Sequence, residues 1–253
     1  MHPDRVRDYR LLMERWLGLV KRIPNLGLSI YDEAGGYPLM VAGSECHDPT
    51  MPSVYFSSGI HGDEPAGVEG LVQWAESSLA KVANWNWMIF PCLNPWGLER
   101  NIRFDAEGRD MNRFFNSRKI PQIASHRALM RGRRFDLAVT LHEDYDARGF
   151  YLYEIAAKRP HWGESLCSQL STVMTADPRR WIDGHSASKG LIRRRINSVL
   201  MKGHPEAFLL HFHHAHRTFT LETPSEELLD RRVSLHKGFL SWTVKKLKLG
   251  MVS

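Results

Sequence analysis

Val54-Tyr55-Phe56-Ser57-Ser58-Gly59-Ile60-His61-Gly62-Asp63-Glu64, with the segment from Pro65 to Leu79 behind it, is the stretch from which the fold is read. Val54, Tyr55 and Phe56 form a short apolar strand that runs directly into Gly59-Ile60-His61-Gly62. From Pro65 the pattern changes period. Val68, Leu71, Val72 and Ala75 recur at three- and four-residue spacing, which predicts a helix with those side chains on its inner face. A strand, a tight polar loop and a helix are one unit of an α/β fold.

The same alternation continues in both directions. Trp87-Met88-Ile89-Phe90 reads as another buried strand, closed by Pro91-Cys92-Leu93-Asn94-Pro95. Phe135 to Leu141 and Phe150 to Ile155 are further strands, and Thr218 to Leu221 is the last before a closing helix from Ser225 to about Lys246. At the amino end, Val6, Leu11, Leu12, Met13, Trp16, Leu17 and Val20 predict one amphipathic helix ended by Pro24-Asn25, and Gly35-Gly36 predicts a hairpin. Strands alternating with helices imply a three-layer α/β/α fold with a mixed, mainly parallel central sheet. A chain of 253 residues buries one sizeable core, and no repeat or linker divides it, so residues 1–253 read as a single domain. In such sheets, ligand sites lie beyond the carboxyl ends of the strands. His61, Asn94, His142 and Glu222 each directly follow an apolar run.

His61 and Glu64 are three residues apart in one loop, and His142 ends a distant strand. Two imidazoles and one carboxylate leave a fourth position open on zinc, which is the arrangement of a catalytic site. A structural zinc would be closed by four Cys-rich ligands, whereas Cys46, Cys92 and Cys167 are widely separated. Glu222, in Thr220-Leu221-Glu222-Thr223-Pro224, offers a carboxylate that can take a proton from water beside a metal. Arg103 offers a guanidinium for the oxyanion formed when water attacks a carbonyl. Asn112 and Arg113, in Asp110-Met111-Asn112-Arg113, suit a fork-like grip on a carboxylate. Asn94-Pro95-Trp96-Gly97 reads as a turn that projects the Arg103 loop towards the strand ends.

Bulk properties restrict the partners. The chain is 43% hydrophobic and 25% charged, and its 34 basic and 28 acidic side chains leave +6. That excess is compatible with an anionic substrate or a weak attraction to nucleic acid and is too diffuse to choose between them, while none of the eight Trp residues forms a base-stacking platform. The terminus Met1-His2-Pro3-Asp4-Arg5 lacks the apolar core of a secretory signal, and no uncharged run reaches transmembrane length. Three scattered cysteines build no disulfide framework. A cytoplasmic protein with no membrane or nucleic-acid partner is expected.

Taken in order, HGDE, NPWG, Arg103, DMNR, the strand-end His142 and the glutamate of TLETP resemble the pattern of zinc carboxypeptidases of the M14 family. The resemblance covers residues 53 to 224, and the chain looks like a short bacterial-type member. The related succinylglutamate desuccinylase and aspartoacylase group shares much of the pattern, while NPWG is closer to the carboxypeptidase branch. The resemblance implies one zinc on His61, Glu64 and His142, a carbonyl-polarising Arg103, a substrate carboxylate on Asn112 and Arg113, and Glu222 as general base. The implied reaction is cleavage of an amide or peptide bond next to a free carboxylate, on a peptide or an N-acyl amino acid. The rival readings are an N-acyl amino acid amidohydrolase and a catalytically silent peptide-binding module. Carboxypeptidases usually present a mobile tyrosine over the substrate. Asp177 to His204 contains none, and Tyr145, Tyr151 and Tyr153 are the nearest.

Other residues have ordinary readings. Glu143 and Asp144 sit beside His142 and rival Glu222 as the base, but on a strand the next side chain points to the opposite face, so both are expected to support the site or to face the surface. His211 and His213 would share one strand face, as would His214 and His216; no nearby acid or Cys completes either pair as a metal site, so the run is expected to flank the Glu222 strand structurally, with an auxiliary place at the pocket rim as the alternative. Asp177 to His204 is expected to be a loop bordering the site, with Arg193-Arg194-Arg195 a solvated surface and His185 a minor candidate for substrate contact.

Overall fold

The computed structural model describes residues 3–156, 160–193 and 203–250. Its centre is an eight-stranded sheet built from β1 (Leu26–Ala34), β2 (Tyr37–Ser44), β3 (Ser53–Ser57), β4 (Asn86–Phe90), β5 (Leu137–Asp144), β6 (Tyr151–Ala156), β9 (Leu191–Arg193) and β10 (Arg217–Pro224). The spatial order is β1-β2-β4-β3-β5-β10-β6-β9. β1 and β2 form the expected antiparallel hairpin, and β2 runs antiparallel to β4. β4, β3, β5 and β10 are parallel neighbours, β6 returns antiparallel to β10, and β9 runs parallel to β6. The mixed, mainly parallel sheet is therefore as expected. Two short strands, β7 (Trp181–Ile182) and β8 (His185–Ser186), pair outside it.

Helices cover both faces. On one lie α2 (Tyr9–Val20), α3 (Pro65–Ser78), α6 (Gly163–Leu170) and α8 (Leu229–Gly250), packed with Val54, Phe56, Val139 and Phe219 of the strands. On the other lie α5 (Pro121–Leu129) and the segments around Phe115 and Leu210, packed with Tyr55, Met88, Phe90 and Ala138. Consecutive residues Val54, Tyr55 and Phe56 thus feed opposite layers, as the two-residue period of a strand requires. Burial of each such side chain contributes roughly 1.5–3 kcal/mol. Val68, Leu71, Val72 and Ala75 of α3 are all buried, as their spacing predicts.

Several boundaries differ from expectation for local reasons. The opening helix is two, α1 (Pro3–Arg7) and α2, because the Asp8 carboxylate accepts a hydrogen bond from Leu11 N and caps a new start. Its inner face is Tyr9, Leu12, Trp16 and Leu19, while Leu17 is exposed. NPWG is not a turn but the first residues of α4 (Pro95–Arg100), with the Asn94 side chain accepting from Gly97 N. The closing helix begins at Leu229, not Ser225, because Ser225 N is still tied to Asp144 O and Glu227 N to Pro224 O. β10 extends to Pro224, so Glu222 lies within the strand. The histidines of 211–214 are not on a strand. They follow α7 (Glu206–Leu209) in a π-helical turn, Leu210–His214, which removes the face-pairing argument. No described helix is long and apolar enough to cross a membrane.

Candidate active site

The parallel strands β3, β5 and β10 all end at one edge of the sheet, and the cavity there has a volume of about 520 Å³. His61 and Glu64 come from the loop between β3 and α3, and His142 from β5 beside it. One donor atom from each of the three lies within 4.8 Å of the others, and all three side chains are buried. The Glu64 carboxylate sits between the imidazoles, with Oε1 2.5 Å from His61 Nδ1 and Oε2 2.9 Å from His142 Nδ1. The backbone N–H of Glu143 also donates to Oε2, at 3.1 Å.

The electrostatics explain why this cluster suits a cation. Burial opposes a charged His61, but Glu64 and Asp110 outweigh it and raise its pKa to about 9. Burial likewise opposes a charged His142, and Glu64 reverses the effect and moves it upward. Burial pushes the Glu64 carboxyl up, yet the two imidazoles hold it well below the usual carboxylate range. A donor set that attracts protons this strongly, with two nitrogens and a carboxylate converging, fits a divalent metal.

Arg103, Asn112, Arg113 and Glu222 line the same cavity, so the structure brings all seven predicted site residues together. Arg103 is half-buried. Its Nε and Nη2 donate to Asp110 Oδ2 at 3.3 and 3.1 Å, and its Nη1 lies 3.4 Å from Glu64 Oε1. Asn112 and Arg113 belong to a one-turn 3-10 helix, Met111–Arg113, capped by the Asp110 carboxylate through Asn112 N. Arg113 is half-exposed at the cavity edge, where Nη1 donates to Asn112 O at 3.2 Å. Glu222 stands in register with His142 on β5 and with Tyr151 on β6. Burial raises its pKa; His142 opposes the shift and Glu64 adds to it.

Asp110 is the residue that the motif contained but its spacing gave no role. Its Oδ1 lies 3.1 Å from His61 Nε2, so the imidazole that offers Nδ1 to the metal position is oriented from its far side. The same carboxylate holds Arg103 and starts the Asn112-Arg113 turn. An Asp preceding a short polar segment is a capping signal; its contact with His61 has no signal in the sequence.

Of the two roles expected for Glu143, the structure matches the supporting one: it is buried, accepts from Ala66 N at 2.7 Å and pairs with Arg232 of α8. Burial raises its pKa to about 7 against the pull of Arg232. The far wall carries Tyr145, Tyr151 and Tyr153. Tyr151 donates to Asp144 at 2.8 Å and Tyr153 to Asp183 at 3.0 Å, while Tyr145 is 75% exposed. From the bordering segment, Arg179, Ile182 and Asp183 reach the cavity, and Arg179 is forked onto the buried Asp177. His185 packs its ring edge-on against Tyr153. Arg193 is not simply solvated, since it pairs with Glu154 and Glu164; Arg194 and Arg195 lie outside the described residues.

The metal loop meets the backbone of α4, and α4 in turn lies close to the segment that carries Arg103. A Cβ added at Gly62 would lie 2.0 Å from the carbonyl carbon of Gly97, and one at Gly97 would lie 2.6 Å from Ile102 O. Only glycine permits the first approach at position 62 and the second at position 97.

Solved structures share this architecture. The proteins described as "putative metallopeptidase" from Shewanella amazonensis and Shewanella denitrificans superpose with a TM-score of 0.81 each. Each is 22% identical over 93% of this chain, which spans 92% and 89% of theirs. Carboxypeptidase A from Helicoverpa armigera superposes with a TM-score of 0.68 at 16% identity, over 99% of this chain and 74% of its own. At these identities the likeness concerns the fold. No curated protein matches the sequence. The model of the succinylglutamate desuccinylase/aspartoacylase catalytic domain matches residues 50–178, which hold the metal-type cluster, Arg103 and the Asn112-Arg113 turn. By that match the chain belongs to the succinylglutamate desuccinylase/aspartoacylase family, within the carboxypeptidase-like α/β fold.

Proposed function

We propose that the protein is a zinc-dependent hydrolase that cleaves an amide bond next to a free carboxylate. The observation that carries this reading is the convergence of His61 Nδ1, the Glu64 carboxylate and His142 Nδ1 in one cavity with Glu222 and Arg113. His61, Glu64 and His142 would hold one zinc, with Asp110 orienting His61. When bound, the metal supplies Lewis acidity and lowers the pKa of water beside it to about 7.

The protein's own residues account for the remaining steps. Arg113 and the Asn112 amide bind the substrate carboxylate and fix which amide bond reaches the site. Glu222 takes the proton from the attacking water, and its raised pKa suits a base that must later return that proton to the leaving amine. Arg103 faces the developing oxyanion with a guanidinium held by Asp110.

Two substrate classes satisfy this chemistry. The NPWG element and the fold neighbours support a carboxypeptidase-type action on short peptides. Family membership supports removal of an acyl group from an N-acyl amino acid. The test is a panel of N-acetylated amino acids and N-acetylated dipeptides, assayed with metal stripped and then restored as zinc. Hydrolysis that returns with about one zinc per chain is the expected result, and the faster class names the branch. Zinc-restored protein inert on both classes would refute the reading and favour a silent binding module.

A further inference from the structure

Asn112 and Arg113 sit on a single 3-10 turn, too short to hold itself. A strip of hydrogen bonds from residues 204–206 steadies it. His204 N donates to Arg113 O at 2.9 Å, Phe115 N donates to His204 O at 2.9 Å, and Glu206 N donates to Asn112 Oδ1 at 3.0 Å. The last bond fixes the side-chain amide. A backbone N–H can be accepted only by the amide oxygen, so Oδ1 is tied back and the amino group of Asn112 is left as the donor available to a ligand.

The strip is itself anchored at one point. The Glu206 carboxylate accepts from the Tyr55 hydroxyl at Oε1 and from Ser57 Oγ at Oε2, the latter at 2.9 Å. Tyr55 and Ser57 belong to β3, and all three side chains are at most 1% exposed. On the far side, His126 Nε2 lies 2.8 Å from the Tyr55 hydroxyl. A buried carboxyl group costs free energy that an apolar side chain would not, so packing alone does not explain its presence. None of these groups has a place in the proposed chemistry.

We propose that Glu206 is a positioning residue for the carboxylate grip: by pinning residues 204–206 to β3, it orients the Asn112 amide and seats Arg113 for a free carboxylate. This rests on the reading of Asn112 and Arg113 given under Proposed function. Glu206 acts through its neighbours and touches no substrate.

The test compares wild type, Glu206→Gln, Tyr55→Phe and Asn112→Ala. The probes are a matched pair, an N-acetylated amino acid or dipeptide with a free carboxylate and its carboxamide, taking the class that is cut faster. Glu206→Gln and Tyr55→Phe are expected to raise KM for the free acid roughly tenfold, the loss of a charge-assisted contact. They leave kcat, and kcat/KM for the carboxamide, within about twofold, so the preference for the acid contracts. Tyr55→Phe added to Asn112→Ala is expected to cost less than Tyr55→Phe alone, because the two changes share the Asn112 contact and only the seating of Arg113 is left to lose. Should the buried changes unfold the protein, Ser57→Ala removes one of the two anchoring donors and gives a smaller contraction of the same sign. Equal loss of kcat on both probes overturns the proposal, as does an intact preference in these variants alongside a contracted one in Asn112→Ala. If Asn112→Ala itself leaves the preference intact, or wild type cuts neither probe, the underlying reading of the grip fails and the proposal falls with it.

Discussion

Replacing Asp110 isolates what orientation contributes to the metal site, since Asp110 touches the cluster without belonging to it. Its Oδ1 meets His61 Nε2 at 3.1 Å, its Oδ2 meets Arg103 Nη2 at 3.1 Å, and Oδ1 also caps the 3-10 turn through Asn112 N. Asp110→Ala removes all three contacts, and Asp110→Asn keeps an acceptor for the cap and for His61 but loses the charge. Outer partners of this type are worth about 10- to 100-fold in metal affinity. The cap adds about 1 kcal/mol of stability, which only the alanine variant forfeits. Asp110→Ala is therefore expected to weaken zinc binding about 100-fold and to lower the melting temperature; Asp110→Asn is expected to weaken zinc by about tenfold at nearly unchanged stability. Competition with a fluorescent zinc chelator measures the first quantity and thermal unfolding of the chelated protein the second. If both variants hold zinc within about twofold of wild type, Asp110 does not orient His61 and the argument from its geometry is wrong.

Further outcomes follow from the same geometry. Glu222→Gln keeps the shape of the side chain and removes the base, so zinc content should stay while kcat falls by roughly two to four orders of magnitude, measured by initial rates; near-normal turnover would move the base to Glu143. Arg113→Lys should cost about as much kcat/KM on a free-carboxylate substrate as amidating that carboxylate costs wild type, because an ammonium cannot reproduce the fork, and the two losses should not add. Burial holds His126 neutral by lowering its pKa from 6.5 to about 3, with His214 and Arg127 adding to the effect. Below the unfolded value the unfolded chain takes a proton that the folded one refuses, so stability is fully present above about pH 6.5 and falls as the pH drops towards 3. The slope approaches about 1.4 kcal/mol per pH unit, and urea unfolding between pH 7 and 4 should show it diminished in His126→Gln.

Much of this molecule was legible because its decisive signals are local. Val54-Tyr55-Phe56 shows its strand by length and the segment after Pro65 shows its helix by period, and both lie within a few residues of His61 and Glu64. His142 and Glu222 were visible because a polar residue directly after an apolar run marks the approach to a strand end, although both strands run two residues further, to Asp144 and Pro224. What escaped depends on contacts between residues far apart in the chain. Asp110 meets His61, Glu206 meets Tyr55 and Arg232 meets Glu143 only once the sheet has formed. The π-helical turn of Leu210–His214 escaped for another reason: four histidines and an aromatic carry no period that separates it from a strand. The split opening helix is the reverse case. Asp8 is a capping residue by type, but the apolar spacing across it was continuous enough to hide the break.

The backbone contact between Gly62 and Gly97 bears on how this fold can be altered. Because the metal loop meets the main chain of α4, the His61-Glu64 segment cannot be transplanted alone onto another scaffold. A graft has to carry residues 94–104 with it, or the host must supply backbone that comes as close to Gly62 as Gly97 does. By the same reasoning, a side chain at position 62 forces the loop of His61 and Glu64 away from α4, whereas one at position 97 meets Ile102 O and strains the join between α4 and the segment that carries Arg103. Side-chain swaps can tune the tyrosines of the cavity one residue at a time, whereas a change at Gly62 moves the metal donors as a unit.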